Sequence, residues 1–259
     1  MAFEYPVLMT GGSSGVGEAT AALLRARGHT VVSLDIKPSG NPDVTHHHCD
    51  LSDPASIDAA VEKLEGPYGS LLNVAGVPNS EGTDLTMRVN YFGLRHFTQK
   101  VWDRITDGGT VVNVASIAGN NWRKRRAYLN ELMTIDDFHK GVAWWAENAE
   151  AVDIDPYTFS KEAVVLYTMV LAGKGLARGI RVNDVGPGPV DTPIFPDFTQ
   201  DVGEDVMQSM VDMVGRPGKP QDIAEALVTL AEGQMSWLNG QHIIVDGGLM
   251  AGLSSGWKS

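Results

Sequence analysis

Short runs of strand-forming residues alternate along this chain with longer stretches in which apolar residues recur every three or four positions. The short runs are Pro6–Met9, Thr30–Leu34, Thr45–Cys49, Ser70–Val74, Thr110–Ala115, Ile180–Val185 and Gln241–Val245. Most are β-branched and apolar throughout, which suits strands covered on both faces. Helical periodicity fits between them at about residues 16–27, 54–65, 84–105, 155–177 and 220–232. This alternation predicts an α/β fold. About seven strands form one parallel sheet, doubly wound with helices on both faces, in a single domain over residues 1–259.

One stretch breaks the rhythm. From Gly119 to Asp153 the chain is far longer than a strand-to-helix connection requires, and a structureless loop of that length is rare in a compact domain. Thr134, three residues before Asp137, resembles a variant capping box that opens a helix toward Trp144 and Trp145. The segment is therefore expected to be an inserted helical element, with one tryptophan packed inward and the other free to meet substrate or a second subunit.

Bulk properties narrow the partners. A net charge of −12 lacks the cationic surplus that neutralises phosphates, so nucleic acid and anionic membrane are not expected partners. No segment has the apolar length of a membrane span. The start, Met1-Ala2-Phe3-Glu4, has no basic flank and leads into the first strand rather than a signal peptide. A single cysteine, Cys49, cannot form an internal disulfide and suits a reducing cytoplasm.

The first strand runs into Thr10-Gly11-Gly12-Ser13-Ser14-Gly15-Val16-Gly17, which opens the first helix. Glycines there let the backbone turn and approach a pyrophosphate, and the helix N-terminus offers free N–H groups and a positive dipole end. Asp35 follows about twenty residues on, at the end of the second strand, where a carboxylate can accept from both ribose hydroxyls of NAD. The same charge repels the 2′-phosphate of NADP, although Lys37, two residues later, weakens that preference. This strand–glycine loop–helix pattern makes the sheet Rossmann-type.

Together with later motifs, these residues resemble the short-chain dehydrogenase/reductase family. The motifs are Asn73-Val74-Ala75-Gly76, Asn90 within Val89-Asn90-Tyr91-Phe92-Gly93, Ser116 after a strand, Tyr157-x-x-x-Lys161, Gly186-Pro187-Gly188 with Thr192, and Val245-Asp246-Gly247-Gly248. The resemblance implies that Gly11, Ser13, Ser14, Gly15, Val16 and Gly17 surround the pyrophosphate. Asp50 and Leu51 are implied at the adenine, and Asn73, Ala75 and Gly76 at the sheet edge and ribose. Pro187, Gly188, Val190 and Thr192 are implied at the nicotinamide. Val74 departs from the second asparagine found in many members. The family also implies a homo-oligomer, dimer or tetramer, assembled through the helices that carry Asn90 and Tyr157.

The implied chemistry interconverts an alcohol and its carbonyl. A free tyrosine, with pKa about 10, is a poor base at neutral pH. Lys161, four residues after Tyr157, shares its helical face and is expected to lower that pKa. Ser116 is implied to hydrogen-bond the substrate oxygen, and Asn90 to hold a water in a proton relay. The gap between Ser116 and Tyr157 holds the insertion, which marks the subgroup containing coniferyl-alcohol dehydrogenase and bacterial 3α-hydroxysteroid dehydrogenase/carbonyl reductase. A bulky aromatic or alicyclic substrate is then expected. The insertion is expected to wall the substrate site in part and to alter the subunit face.

Other features lead elsewhere. His46-His47-His48 alternate faces on a strand and cannot converge on a metal ion, so none is expected. Arg123-Lys124-Arg125-Arg126 reads as a solvated helix start. Residues 192–214 read as a lid with apolar Pro193, Ile194, Phe195, Phe198, Met207 and Met210. Two rival functions share the fold: a carrier-linked 3-oxoacyl reductase, which needs a basic docking face, and an NAD-binding sensor without turnover.

Overall fold

Seven strands, all parallel, stand side by side in the order β3-β2-β1-β4-β5-β6-β7. They are β1 (Val7–Thr10), β2 (Val31–Asp35), β3 (Val44–His48), β4 (Tyr68–Asn73), β5 (Ile105–Val114), β6 (Arg181–Pro187) and β7 (His242–Val245). The computed structural model describes residues 4–79 and 82–257. Met1–Phe3, part of the start read above for a signal segment, lie outside them. Among the described residues no helix is long and apolar enough to cross a membrane.

The helices are α1 (Gly15–Ala26), α2 (Pro54–Val61), α3 (Thr83–Met87), α4 (Leu94–Val101), α5 (Arg126–Met133), α6 (Phe138–Val152), α7 (Pro156–Gly175), α8 (Phe195–Val202), α9 (Glu204–Val214), α10 (Pro220–Ala231) and α11 (Leu249–Ser255). Period-two alternation in the strands feeds two cores, one on each face. Leu71, Val111 and Val182 face α4 and α7 with Phe97 and Val164. Leu72, Val112 and Val185 face α1 and α10 with Leu24, Ile223 and Leu227. The chain leaves β1 toward β2 on one side and returns to β4 on the other. The carboxyl ends of β1 and β4 therefore flank the crevice where such sheets bind ligands.

The helix expected over 84–105 is not continuous. It breaks into α3, a π-type turn at Arg88–Gly93, α4 and a 3-10 turn at Trp102–Arg104, and Ile105 already belongs to β5. Close packing accompanies the distortion: a Cβ on Gly93 would lie 2.1 Å from the Leu51 carbonyl oxygen.

The insertion is helical, in three pieces. A 3-10 segment (Ile117–Arg125) leads into α5, and α6 follows. Thr134 does not open α6. It ends α5, and its hydroxyl donates to the Glu131 carbonyl. Asp137 caps α6 instead, accepting from the Lys140 N–H at 2.8 Å, because its carboxylate stands three residues ahead of that orphan donor. The two tryptophans do not divide between inside and outside. Both are buried, stacked on Phe159 of α7 at 6.2 and 5.1 Å between ring centroids. The basic run is likewise not wholly solvated, since Arg125 forms a two-point ion pair with the fully buried Glu162.

Candidate active site

The glycine loop leaves no room for side chains where its backbone folds on itself. A Cβ on Gly17 would sit 1.8 Å from the Gly11 carbonyl oxygen, and one on Gly11 (φ +75°) would sit 2.6 Å from the Ala75 nitrogen. Ser14 caps α1 in an extended conformation with no side-chain bond to the helix, so the first-turn N–H groups around Val16 are left for a ligand. Asp35 faces the same loop: one carboxylate oxygen accepts from the Ser13 N–H at 3.1 Å and the other from the Lys37 N–H at 3.0 Å. The Ser13 hydroxyl donates to the Lys37 carbonyl, so the stretch after β2 is tied to the cradle. Each carboxylate oxygen keeps a lone pair for a hydroxyl.

The remaining nucleotide candidates line the rim in turn. Asp50 accepts from the N–H and hydroxyl of Ser52, which fixes the turn after β3 beside buried Leu51. Past β6, Gly188 packs against Asp246 so closely that a Cβ would lie 2.8 Å from the aspartate Cβ. Val190 bridges to Gly218, and Thr192 lies over Gly15, closing the loop between Pro187 and the cradle. Asn73 is different: its amide is spent on Thr98 and Asn113, which makes it a support inside the sheet. These residues fit a dinucleotide: a tight cradle for the phosphates, a carboxylate beyond it, and an open rim.

Four side chains proposed for chemistry meet where that rim reaches α7. Asp155 caps α7, accepting from the Thr158 N–H at 2.8 Å, and Pro156 takes the first helical position. That start fixes the rotation of the helix and turns Tyr157 and Lys161 toward the strand ends. Ser116 caps the 3-10 segment, accepting from the Ala118 N–H, and its hydroxyl also hydrogen-bonds the Tyr157 phenol. Lys161 is buried and donates from Nζ to the Val114 carbonyl at 3.0 Å. The Asn90 amide grips the backbone of Val77 at both ends, 2.8 and 2.9 Å. Gly76 keeps the space open, since a Cβ there would meet Asn90 at 3.3 Å and Lys161 Nζ at 3.4 Å.

Electrostatics correct one expectation. Burial pushes the Tyr157 phenol up to about 12, only partly opposed by its bond with Ser116, and the carboxylates of Asp155 and Asp201 push the same way. Lys161 does not lower it as expected, because its ammonium lies 5.6 Å from the ring centroid and is committed to the Val114 carbonyl. Burial brings Lys161 itself down to about 8, against the pull of Asp184.

The stretch read as a lid supplies Phe198 to the mouth of the site, but sequence reasoning missed the contacts of Asn79 and Asp201 there. Asn79 accepts the Tyr157 N–H at 2.8 Å, donates its amide to Asp155 at 2.8 Å, and donates its backbone N–H to Asp201 of α8 at 2.9 Å. Phe198 of α8 lies edge-on to Tyr157, 5.0 Å between centroids. No motif marks Asn79 or Asp201; the position of Asn79 just past Gly76 was the one available signal. The histidine run lies on β3, and no metal-ligating cluster occurs among the described residues.

A parallel sheet with a glycine cradle at its first crossover and a Ser-Tyr-Lys group beside it is the arrangement of a nucleotide-dependent oxidoreductase. The chain belongs to the short-chain dehydrogenase/reductase family. Residues 6–129 match the short chain dehydrogenase model, and residues 142–250 match a second model, described as enoyl-(acyl carrier protein) reductase. It is 36% identical over 245 residues to a coniferyl-alcohol dehydrogenase of Pseudomonas sp. (strain HR199), covering 94% of this chain and 95% of that one. It is 29% identical over 267 residues to a 3-oxoacyl-[acyl-carrier-protein] reductase of Thermotoga maritima, covering 94% and 96%. Among solved structures, the 3-alpha-hydroxysteroid dehydrogenase from Pseudomonas sp. B-0831 complexed with NADH superposes with a TM-score of 0.79 at 27% identity, covering 98% of this chain and 99% of that one. The resemblance to the insertion-bearing subgroup is borne out by the first and third of these.

Proposed function

We propose that the protein is an NAD(H)-dependent alcohol dehydrogenase or carbonyl reductase acting on a bulky aromatic or alicyclic substrate. One observation carries the reading: Ser116, Tyr157 and Lys161 converge beside a glycine cradle that ends on Asp35. NAD, when bound, supplies the hydride acceptor, and NADH the donor. The chain's own residues handle the proton. Tyr157 takes the alcohol proton during oxidation and returns it during reduction, while Ser116 holds the substrate oxygen at the phenol. Lys161, as an ammonium below about pH 8, favours the charged form of the tyrosine once the two are drawn together. Asn90 fixes the loop after β4 through Val77, which keeps the floor of the site rigid. Asp35 favours NAD over NADP by repelling a 2′-phosphate.

Phe198, edge-on to Tyr157, supports an aromatic or alicyclic substrate, because it sets an apolar ring beside the proposed acid/base. The coniferyl-alcohol dehydrogenase relative supports the same class. The carrier-linked 3-oxoacyl reductase reading is weaker. Its basic docking face would begin at residues 123–126, yet Arg125 is consumed by Glu162 and Arg123 lies over the Trp122 ring at 4.6 Å. A sensor without turnover would have no use for the intact Ser116, Tyr157 and Lys161. The reducing cytoplasm suits buried Cys49, whose thiol is pushed up to about 12 by burial. A homo-oligomer, dimer or tetramer, is supported by exposed apolar side chains near the end of α7: Val170, Leu176 and the fully exposed Trp237.

The test follows NADH absorbance while the protein is offered aromatic allylic alcohols, alicyclic ketones and carrier-bound 3-oxoacyl thioesters with each cofactor. Turnover of free alcohols or ketones with NAD(H) is expected. Activity confined to carrier-bound substrates, or none at all, would overturn the reading.

A further inference from the structure

A row of polar side chains crosses the sheet beneath α7. Asn73 of β4 is in register with Asn113 of β5, Asn113 with Asp184 of β6, and Asp184 with His242 of β7. Asn73, Asn113 and Asp184 lie two positions from Leu71, Val111 and Val182, so they face the α4 and α7 side of the sheet. The Asn73 amide donates to Asn113 at 2.8 Å and to Thr98 of α4 at 2.9 Å. The Asn113 amide donates to Thr168 of α7 at 2.9 Å. The Thr168 hydroxyl supports Asp184, and His242 Nδ1 closes the row on Asp184 Oδ1.

The Asp184 end of this row is costly. Its carboxylate has no exposed surface, and Asp184 Oδ2 and His242 Nε2 are both buried without a hydrogen-bond partner. A buried carboxylate is tolerated where a positive charge faces it. Lys161 is placed to be that charge. It precedes Thr168 by two helical turns, so both present themselves to the sheet from the same face of α7. Its Nζ rests on the Val114 carbonyl, and Val114 is in register with Val185, the neighbour of Asp184.

We propose that Asp184 is the buried counter-charge that keeps Lys161 an ammonium, and that His242 holds Asp184 ionised for that purpose. The pair are positioning residues for the oxidoreductase chemistry above, and their relevance to turnover rests on that reading. Burial holds the Asp184 carboxyl above the ordinary carboxylate range even against the pull of His242, Thr168 and Lys161, so the ionised form depends on those partners. In return Asp184 raises the proton affinity of Lys161, which burial has lowered to about 8. The groups facing Asp184 are His242 from β7, Asn113 from β5, and Lys161 and Thr168 from α7; α10 packs on the opposite face with Ile223, Leu227 and Val228. On its other side Lys161 faces Tyr157, with Asp155 and Asp201 beyond it.

The test titrates Lys161 in the free protein by the carbon-13 shift of its ε-carbon, assigned by loss of that signal in Lys161→Met. The parent midpoint is expected near 8. Asp184→Asn should move it down by about one pH unit or more, the size of effect expected from a neighbouring opposite charge. His242→Leu should move it the same way, His242→Gln less because an amide donor remains, and Asp184→Asn combined with His242→Leu no further than Asp184→Asn alone. An unchanged midpoint in folded Asp184→Asn, or a double variant shifted well beyond it, would overturn the proposal. If Asp184→Asn does not fold, the His242 variants decide: equal midpoints in His242→Leu, His242→Gln and the parent overturn it. In pH profiles of alcohol oxidation, the loss at high pH should begin correspondingly lower in Asp184→Asn. A shifted midpoint in a protein that oxidises no alcohol would uphold the counter-charge and remove the oxidoreductase reading beneath it.

Discussion

Arg125→Ala is the most demanding single change the structure suggests outside the proposed site. Arg125 Nε and Nη2 donate to the two oxygens of Glu162 at 2.7 and 2.6 Å. The Glu162 side chain has no exposed surface, and that of Arg125 is 16% exposed. Truncating the arginine strands a carboxylate inside the protein, which costs about 3–5 kcal/mol. In a domain of this size each kcal/mol moves the melting temperature by about 2–4 °C, so the expected drop is about 6–20 °C. Arg125→Lys should fall between the parent and the alanine variant, because an ammonium supplies the charge without the planar fork. Arg125→Met combined with Glu162→Leu should recover most of the loss, since apolar residues of similar volume replace a buried pair at little net cost. Urea unfolding and thermal melts, with NADH binding as a check on the native fold, measure all four proteins. An alanine variant within about 1 kcal/mol of the parent, or a double variant no better than the single, would refute the reasoning.

Tyr157→Phe should nearly abolish turnover with NADH affinity close to the parent's, measured by nucleotide fluorescence, because the ring still packs on Phe198 but has no proton to exchange. Asp35→Ser should narrow the ratio of kcat/KM with NAD to that with NADP; a parent enzyme equally efficient with both would contradict the assigned role of the carboxylate. Gly17→Ala should abolish nucleotide binding in a calorimetric titration, since its Cβ would stand 1.8 Å from a backbone oxygen. Phe198→Ala should expose the phenol whose pKa burial raises. The acid limb of alcohol oxidation should then move to lower pH, and an unmoved limb would mean that α8 does not dry the site.

Periodicity and glycine chemistry made most of the fold legible. Every expected strand is present, β5 starting earlier than expected at Ile105, because covered parallel strands are largely apolar and the glycine loop can sit only where a strand turns into a helix. Local pattern failed where tertiary contact decided. Nothing in the sequence around Arg88–Gly93 announces a π-type turn, whose tight spot is a carbonyl of Leu51 far away in sequence. Thr134 and Asp137 are both competent caps, and only the path of the chain selects Asp137. Trp144 and Trp145 point apart on an isolated helix, yet the broad face of Phe159 accommodates both. Of the proposed set, Tyr157 and Lys161 were visible as a helical spacing, and Ser116 and Asn90 only through the family resemblance. Asp184 and His242 were not, because a cross-strand pair from distant strands leaves no short-range signature.

The mouth of the crevice is closed by α8, with Phe198 on Tyr157 and Asp201 on Asn79. The helices of the insertion, α5 and α6, pack on the π-type turn, α4 and α7. Gly141 is pressed so close to Phe92 that a Cβ would lie 2.6 Å from the ring, Arg95 binds the carbonyls of Leu132 and Met133, and the two tryptophans lie on Phe159. Phe159 and Glu162, which the insertion holds, interleave along one stretch of α7 with Tyr157 and Lys161, which the crevice receives. Successive residues on a helix rotate by about 100°, so the clamped pair and the crevice-facing pair project from opposite sides of the same stretch. The insertion therefore braces the side of α7 opposite the proposed proton-handling pair. The same packing covers much of α4 and α7 within one chain, while Val170 and Leu176 near the far end of α7 stay exposed.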